Sequence, residues 1–296
     1  MNPFKYNHNL SGVTTRIKKQ TATCRVIEVS FQSAIDTGYS KNSLITGDYY
    51  VPNTRNPVPL AILVHGMGDF SMIPCRMLAR SLVQKNIACF VPYLTIHSKR
   101  LPLELKPHMP YLTPEEWYNV YRTSVVDIRQ VIDWAMTRQE IDTKKLFISG
   151  ISFGGFVSSI VMGMDKRVKA GVLIVTGGNA NRLTMMNKEG KYREKYKRSE
   201  IEHLQVLNDY EEYREQVRKY GFENVPAKHI SFLTDPLTFA DNLKDRPILM
   251  INARHDKYIP VESATELWQA AGQPDIKWYP WDMLLSGSGI LRFGMQ

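Results

Sequence analysis

Gly150-Ile151-Ser152-Phe153-Gly154 is the run in this chain whose residue types and spacing most directly suggest a reaction. It reads G-x-S-x-G. An apolar stretch at 145–149 precedes it, and a helical pattern at 154–164 with a further glycine, Gly155, follows it. A serine on such a strand-to-helix turn projects its hydroxyl above a sheet. Gly150 and Gly154 permit the turn, because side chains there would strike neighbouring backbone. The hydroxyl then lies at a helix N-terminus, where developing negative charge is favoured. Ser152 is therefore a candidate nucleophile toward a carbonyl carbon.

Two other segments supply what such a nucleophile needs. His65-Gly66-Met67-Gly68 follows an apolar stretch at 60–64. A turn of this kind can aim the Met67 backbone N–H at a carbonyl oxygen and, with the N–H of Phe153, form a two-donor oxyanion hole. His65 is read as a structural residue of the turn, too early in the chain to be the base. Asp256 sits in Arg254-His255-Asp256-Lys257, just after an apolar stretch at 247–252. An acid in a loop at a strand's C-terminal end can orient a histidine.

The elements around these residues alternate. Strands are expected at 25–31, 44–51, 60–64, 87–93, 145–149, 168–175, 247–252 and 276–279, and helices at 73–85, 154–164 and 263–271. Thr113-Pro114-Glu115-Glu116 is a capping box with proline in the first turn. The helix it opens carries Trp117, Tyr121, Val125, Ile128, Ile132 and Ala135 on one stripe. Nearly all-apolar strands separated by helices require a parallel sheet covered on both faces, an α/β fold with right-handed crossovers. The two earliest strands have no helix between them and are expected to pair antiparallel at one edge. Residues 181–243 break the rhythm. They hold a second capping box, Ser199-Glu200-Ile201-Glu202, and an amphipathic helix ending near Gly221. This stretch is read as a helical cap insertion over the C-terminal edge of the sheet, where open α/β sheets bind ligands. The remaining 1–180 and 244–296 form the core.

With Ser152, Asp256, Met67 and Phe153 in this order, the chain resembles the α/β-hydrolase family from about residue 44 to 281. The resemblance implies the α/β-hydrolase fold and a nucleophile, acid and histidine in chain order. It implies Met67 and Phe153 as oxyanion donors, a small-molecule ester substrate and acyl-enzyme chemistry. It implies no cofactor and no metal, and the scattered histidines have no ligand spacing. A peptidase or an acyltransferase would use the same constellation.

The family's histidine is expected after the strand at 276–279, usually as Gly-His. Here the chain reads Trp278-Tyr279-Pro280-Trp281-Asp282-Met283, and the last histidine is His255. The terminal helix of the family has no counterpart in the pattern of 284–296. Without an imidazole, Ser152 lacks an acceptor for its proton. Removing the histidine of such a triad costs on the order of 10⁶ in kcat. His97 and His108, in the loop after 87–93, are the candidates to replace it. A second reading makes the chain a non-catalytic binding protein whose basic, tyrosine-bearing insertion is the working surface.

Composition bounds these readings. With 43% hydrophobic and 23% charged residues, the chain is neither disordered, collagen-like nor a coiled coil. The net charge of +9 is concentrated at 16–19 and 188–198, where the second stretch has acids mixed in. No nucleic-acid motif accompanies it, so it is read as a solvated face and no nucleic-acid partner is expected. No apolar run approaches the roughly 18 residues of a membrane span. The polar N-terminus and three cysteines at unrelated spacings, Cys24, Cys75 and Cys89, suggest a reduced cytoplasmic protein.

The altered end has a one-nucleotide explanation. Trp281-Asp282-Met283 can be encoded TGG-GAC-ATG, and one more G in that run gives TGG-GGA-CAT, which is Trp-Gly-His. Sequencing the gene through codon 282 is expected to find GAC. GAT there would give tyrosine in the shifted frame and excludes this origin.

Overall fold

β4 (Val58–Val64) is apolar along nearly its whole length, as a strand buried on both faces must be. Leu60, Ile62 and Val64 enter one hydrophobic cluster, and Ala61 and Leu63 enter the other. The computed structural model describes residues 2–8, 10–69, 71–186 and 198–280. Its other strands are β1 (Thr14–Gln20), β2 (Cys24–Gln32), β3 (Leu44–Pro52), β5 (Ala88–Tyr93), β6 (Ile141–Ile151), β7 (Val168–Ile174), β8 (Ile248–Ala253) and β9 (Asp275–Tyr279). They form one sheet in the order β1-β2-β3-β5-β4-β6-β7-β8-β9. From β5 to β9 every neighbour is parallel. β1, β2 and β3 join antiparallel at one side, and β3 runs antiparallel to β5.

The helices are α1 (Ile73–Val83), α2 (Pro114–Met136), α3 (Phe153–Met164), α4 (Ala180–Met186), α5 (Glu200–Tyr220) and α6 (Val261–Ala270). α1 covers one face through Cys75, Ala79 and Val83. α2 and α3 cover the other. The capping box of α2 is formed: the Glu116 N–H donates to Thr113 Oγ1 at 3.2 Å, and the Thr113 N–H donates to the Glu116 carboxylate at 2.6 Å. Trp134 of α2 meets Tyr49 edge-on at 4.9 Å and Phe90 at 5.2 Å, which seats the helix on β3 and β5.

Most expected elements lie where the pattern put them, with β6 longer than the apolar run because its first residues, Ile-Asp-Thr-Lys, are mostly polar. β1 is the strand that the pattern did not show. All seven of its residues are exposed, so it has no apolar alternation to read. The ladder to β2 holds it, with Arg16 paired to Glu28 at 2.9 Å and Lys18 to Asp48 at 2.7 Å. The basic stretch at 16–19 is thus a charged edge strand, and its lysines discourage edge-to-edge pairing with other chains.

Within 181–243, the second capping box forms between Ser199 and Glu202, and α5 ends at Gly221, whose φ is 84°. Val206, Tyr210 and Tyr213 are its buried residues. Tyr210 stacks on Phe232 at 4.6 Å. Phe239, on the short turn Pro236–Leu243, packs against Gly163 of α3 so closely that a Cβ there would collide with it. These residues belong to the same buried cluster as the α2 and α3 core.

The fold also holds a buried ion pair, Arg100–Asp127, at 2.7 Å, with both residues about 2% exposed. The guanidinium also donates to the carbonyls of Tyr93 and Asn42 at 3.0 Å, and Ser33 Oγ donates to Asp127 at 2.7 Å. The pair ties the end of β5 and the entry to β3 onto α2. Arg100→Met, which leaves Asp127 buried without its partner, is expected to lower stability by about 3–5 kcal/mol in urea unfolding.

Candidate active site

β6 ends at Ile151 and α3 begins at Phe153, leaving Ser152 alone to make the reversal. Its φ of 51° and ψ of −118° lie where non-glycine residues are strained by about 1–3 kcal/mol. Hydrogen bonds hold it there. The Ser152 N–H donates to the Ile174 carbonyl of β7 at 2.8 Å, and its own carbonyl accepts from Gly155 at 2.7 Å and Phe156 at 3.1 Å. A Cβ at Gly150 would overlap the Gly154 carbonyl and Ser158 Oγ. One at Gly154 would overlap the carbonyls of Val64 and His65. Both glycines of the motif are therefore required by close backbone approach, as the sequence suggested.

The loop after β4 lies directly against this turn. A Cβ on Gly66 would come within 3.3 Å of the Ile151 carbonyl and 3.5 Å of Ser152 Cβ. Met67, Ser152 and Phe153 line one cavity. Phe153 is the first residue of α3, so its N–H has no acceptor inside the helix.

Two buried histidines brace that loop. His65 Nε2 accepts from the Leu94 N–H at 3.2 Å, which places the ring proton on Nδ1, donating to the Gly66 carbonyl at 2.9 Å. His97 Nε2 accepts from the Gly68 N–H at 3.4 Å, and Nδ1–H donates to the Thr95 carbonyl at 2.7 Å. Burial lowers the pKa of His65 to about 4, and burial with the neighbouring His65 lowers that of His97 to about 3. His65 is structural, as expected. His97, one of the two candidates to replace the missing base, has both of its ring nitrogens engaged with backbone. The side chain of His108 and the segment from 281 onward, where the family's histidine is expected, lie outside the described residues.

Asp256 sits on the turn after β8, where Oδ1 accepts from the N–H groups of Tyr258 at 2.9 Å and Ile259 at 2.8 Å. Asp256 is not itself a wall of the cavity. Its turn delivers Ile259 to that wall.

The cavity has a volume of about 590 Å³. One wall is aromatic: Trp117, Tyr118 and Tyr121 of α2 with Phe153 and Phe156 of α3. Tyr121 meets Phe153 edge-on at 4.9 Å. The opposite wall comes from α4 and the 198–236 stretch, including Asn181, Arg198, Lys228 and Asp235. Lys228 is paired with Asp209 at 2.9 Å and Glu212 at 3.1 Å, and Arg198 donates to Asn181 at 2.7 Å. The Asp235 carboxylate accepts from the N–H groups of Asn179, Ala180 and Leu237, tying α4 to the turn at Pro236–Leu243. The helical spacing places Trp117 and Tyr121 on one stripe with Val125, Ile128, Ile132 and Ala135. From Val125 on the stripe is fully buried core, and Trp117 and Tyr121 are partly buried against it. Its first turns also line the cavity. Among the described residues no three His, Cys, Asp or Glu side chains converge as metal ligands would. No described helix is long and apolar enough to cross a membrane.

A mostly parallel sheet in this strand order, with a strained serine between strand and helix at its C-terminal edge, defines an α/β-hydrolase. Residues 116–283 match the model of the prolyl oligopeptidase family, more than half of the chain, and the chain belongs to that family. Among solved structures it is similar to an acetyl xylan esterase from Paenibacillus sp. R4, with 16% identity, 92% of this chain and 83% of that one covered, and a TM-score of 0.62. Acetyl xylan esterase 1 from Thermoanaerobacterium sp. JW/SL YS485 is similar at 17% identity, with 90% and 81% covered and a TM-score of 0.63. An acylaminoacyl peptidase from Pyrococcus horikoshii shares 14% identity over 86% of this chain and 36% of its own, with a TM-score of 0.55. No curated protein matches the chain.

The buried histidines give stability a pH dependence. Both are neutral when folded, and both gain a proton on unfolding below the ordinary histidine value of 6.5. Their contribution is complete above 6.5 and is lost as pH falls toward about 4. The urea midpoint is expected to fall between about pH 7 and pH 5, and less steeply in His97→Asn. An equal slope in that variant assigns the effect to other groups.

Proposed function

We propose that the chain is a serine hydrolase that attacks carboxylic esters through an acyl-enzyme on Ser152. The observation that carries this reading is the backbone of Ser152, held at φ 51° between β6 and α3 and facing a 590 Å³ cavity. Strain of this kind persists where the surroundings over-determine it, and it clusters at reactive positions. In the reaction, Ser152 Oγ attacks the acyl carbon while the N–H groups of Met67 and Phe153 receive the oxyanion. The alcohol departs with a proton, and water then cleaves the acyl-enzyme. Asp256 is the member that orients a histidine, and 181–243 is the cap that completes the pocket. The aromatic wall suits an apolar acyl or alcohol group. The free cysteines fit a reducing compartment such as the cytoplasm.

No histidine follows Asp256 within these 296 residues. The proposed outcome is an acylation that a strained, dipole-assisted serine can still perform slowly, and a deacylation that is slower still. Family membership also favours a peptidase reading, since amide cleavage would use the same groups. Amides demand protonation of a poorer leaving group, so the absent imidazole weighs more heavily on them.

The test follows para-nitrophenyl acetate hydrolysis beside Ser152→Ala, past one enzyme equivalent, with an aminoacyl para-nitroanilide in parallel. A burst of about one equivalent that vanishes in the variant is expected with the ester, and no cleavage of the amide. Identical traces for the two proteins overturn the reading in favour of a binding protein on this scaffold. Sustained turnover would mean that another group serves as the base.

A further inference from the structure

His97 does more than fill space. Its ring lies between the two backbone segments that carry the proposed oxyanion donors. Nε2 accepts from Gly68, the residue after Met67, at 3.4 Å. Its face stacks on the Phe153 ring, centroids 6.0 Å apart and planes at 24°. His65 closes the other side edge-on at 4.8 Å. The bond from Nδ1–H to the Thr95 carbonyl fixes the tautomer, so the Nε2 lone pair has to face Gly68.

The backbone around His97 is itself strained. Ile96 has φ 60° and Ser98 φ 50°. For a β-branched residue this is an outlier. Ile96 is fully buried, and the neighbouring Thr95 hydroxyl is hydrogen-bonded to Ser124 of α2 at 2.8 Å. Two strained residues flank one imidazole, and α2 anchors the turn that carries them. A turn that needed only to leave β5 could do so without either. Strain held this firmly is found where a side chain has to be aimed.

We propose that His97 is a positioning residue that sets the gap of the oxyanion hole, holding the Met67 loop at its working separation from the N-terminus of α3. The inference rests on the serine hydrolase reading above. Both donors are main-chain groups, so no rotamer change can correct their spacing. Only the loop or the helix can move. Hydrogen bonds to an oxyanion tolerate little displacement, and an error of about 1 Å costs about 100-fold in rate.

Two variants test it. His97→Phe keeps the ring and its stacking but loses both hydrogen bonds. His97→Gln keeps a donor and an acceptor. The readouts are the rate of Ser152-dependent acylation by para-nitrophenyl acetate as a function of ester concentration, and amide exchange at residues 66–68. His97→Phe is expected to acylate about 100-fold more slowly at saturating ester, with half-saturation changed less than about twofold. Exchange at 66–68 should rise while β6 and β7 stay protected, and His97→Gln should recover part of the rate. Wild-type acylation and exchange in both variants overturn the inference alone. So does a loss of protection throughout the core, which would make His97 merely structural. A wild-type chain with no Ser152-dependent acylation overturns the hydrolase reading, and the inference falls with it.

Discussion

A left-handed serine cannot sit at the end of a strand unless its neighbours leave it no alternative. At Ser152 the constraint is steric and hydrogen-bonded together. β7 takes its N–H, the first turn of α3 takes its carbonyl, and three glycines let the β4 loop and Thr176 come within contact of the turn. The rest of the architecture can be traced from that requirement. β6 must be central, because β4 on one side and β7 on the other both supply contacts to the turn. α3 starts at once, at Phe153, so its unpartnered first N–H groups lie next in the chain to the serine. The antiparallel strands at the far edge are free of these demands. They carry the exposed basic stretch instead.

The electrostatics of the site follow from burial as much as from charge. The imidazoles of His65 and His97 are stripped of water and kept neutral, and each spends its two nitrogens on backbone. A neutral ring that accepts an N–H and donates to a carbonyl is a cross-link between loops, not a proton carrier. Several of the charged groups that line the cavity are paired. Lys228 is neutralised by Asp209 and Glu212, and Asp235 is consumed by three backbone N–H groups. The cavity beside Ser152 has one aromatic wall, from α2 and α3, and a second wall that carries polar and charged groups, among them the paired Lys228 and Asp235.

The parallel strands were legible because burial on both faces leaves near-continuous apolar runs, as in β4 and β5. The two capping boxes were legible because they use fixed residue types three apart. β1 was not: an exposed edge strand made of Thr, Arg, Lys and Gln has no periodicity to show, and only its partner strand defines it. At the site, Ser152, Gly150 and Gly154 could be read because the turn admits so few side chains. The pocket wall could not be read in the same way. Trp117 and Tyr121 follow the same helical spacing as Val125 and Ile128, and only the placement of α3 shows where core gives way to cavity. His97 was legible as a residue near the correct sheet edge, but its role was not. Spacing reports where a ring can be. It does not report which atoms will occupy its two nitrogens.

The wall opposite α2 bears on how the pocket can open. Phe232 lies between Tyr210 and Tyr213 of α5, Phe239 presses on Gly163 of α3, and Phe4 from the N-terminal segment packs on both Phe222 and Phe239. These rings are continuous with the core under α2. Swinging this wall away as a unit would expose several buried aromatic side chains at once, each worth roughly 1.5–3 kcal/mol of burial. The turn at Lys228 is tied into the same packing, since His229 meets Phe232 edge-on at 5.0 Å and Lys228 pairs with Asp209 and Glu212 of α5. A hinged lid over the cavity would therefore have to break packing that is continuous with the core.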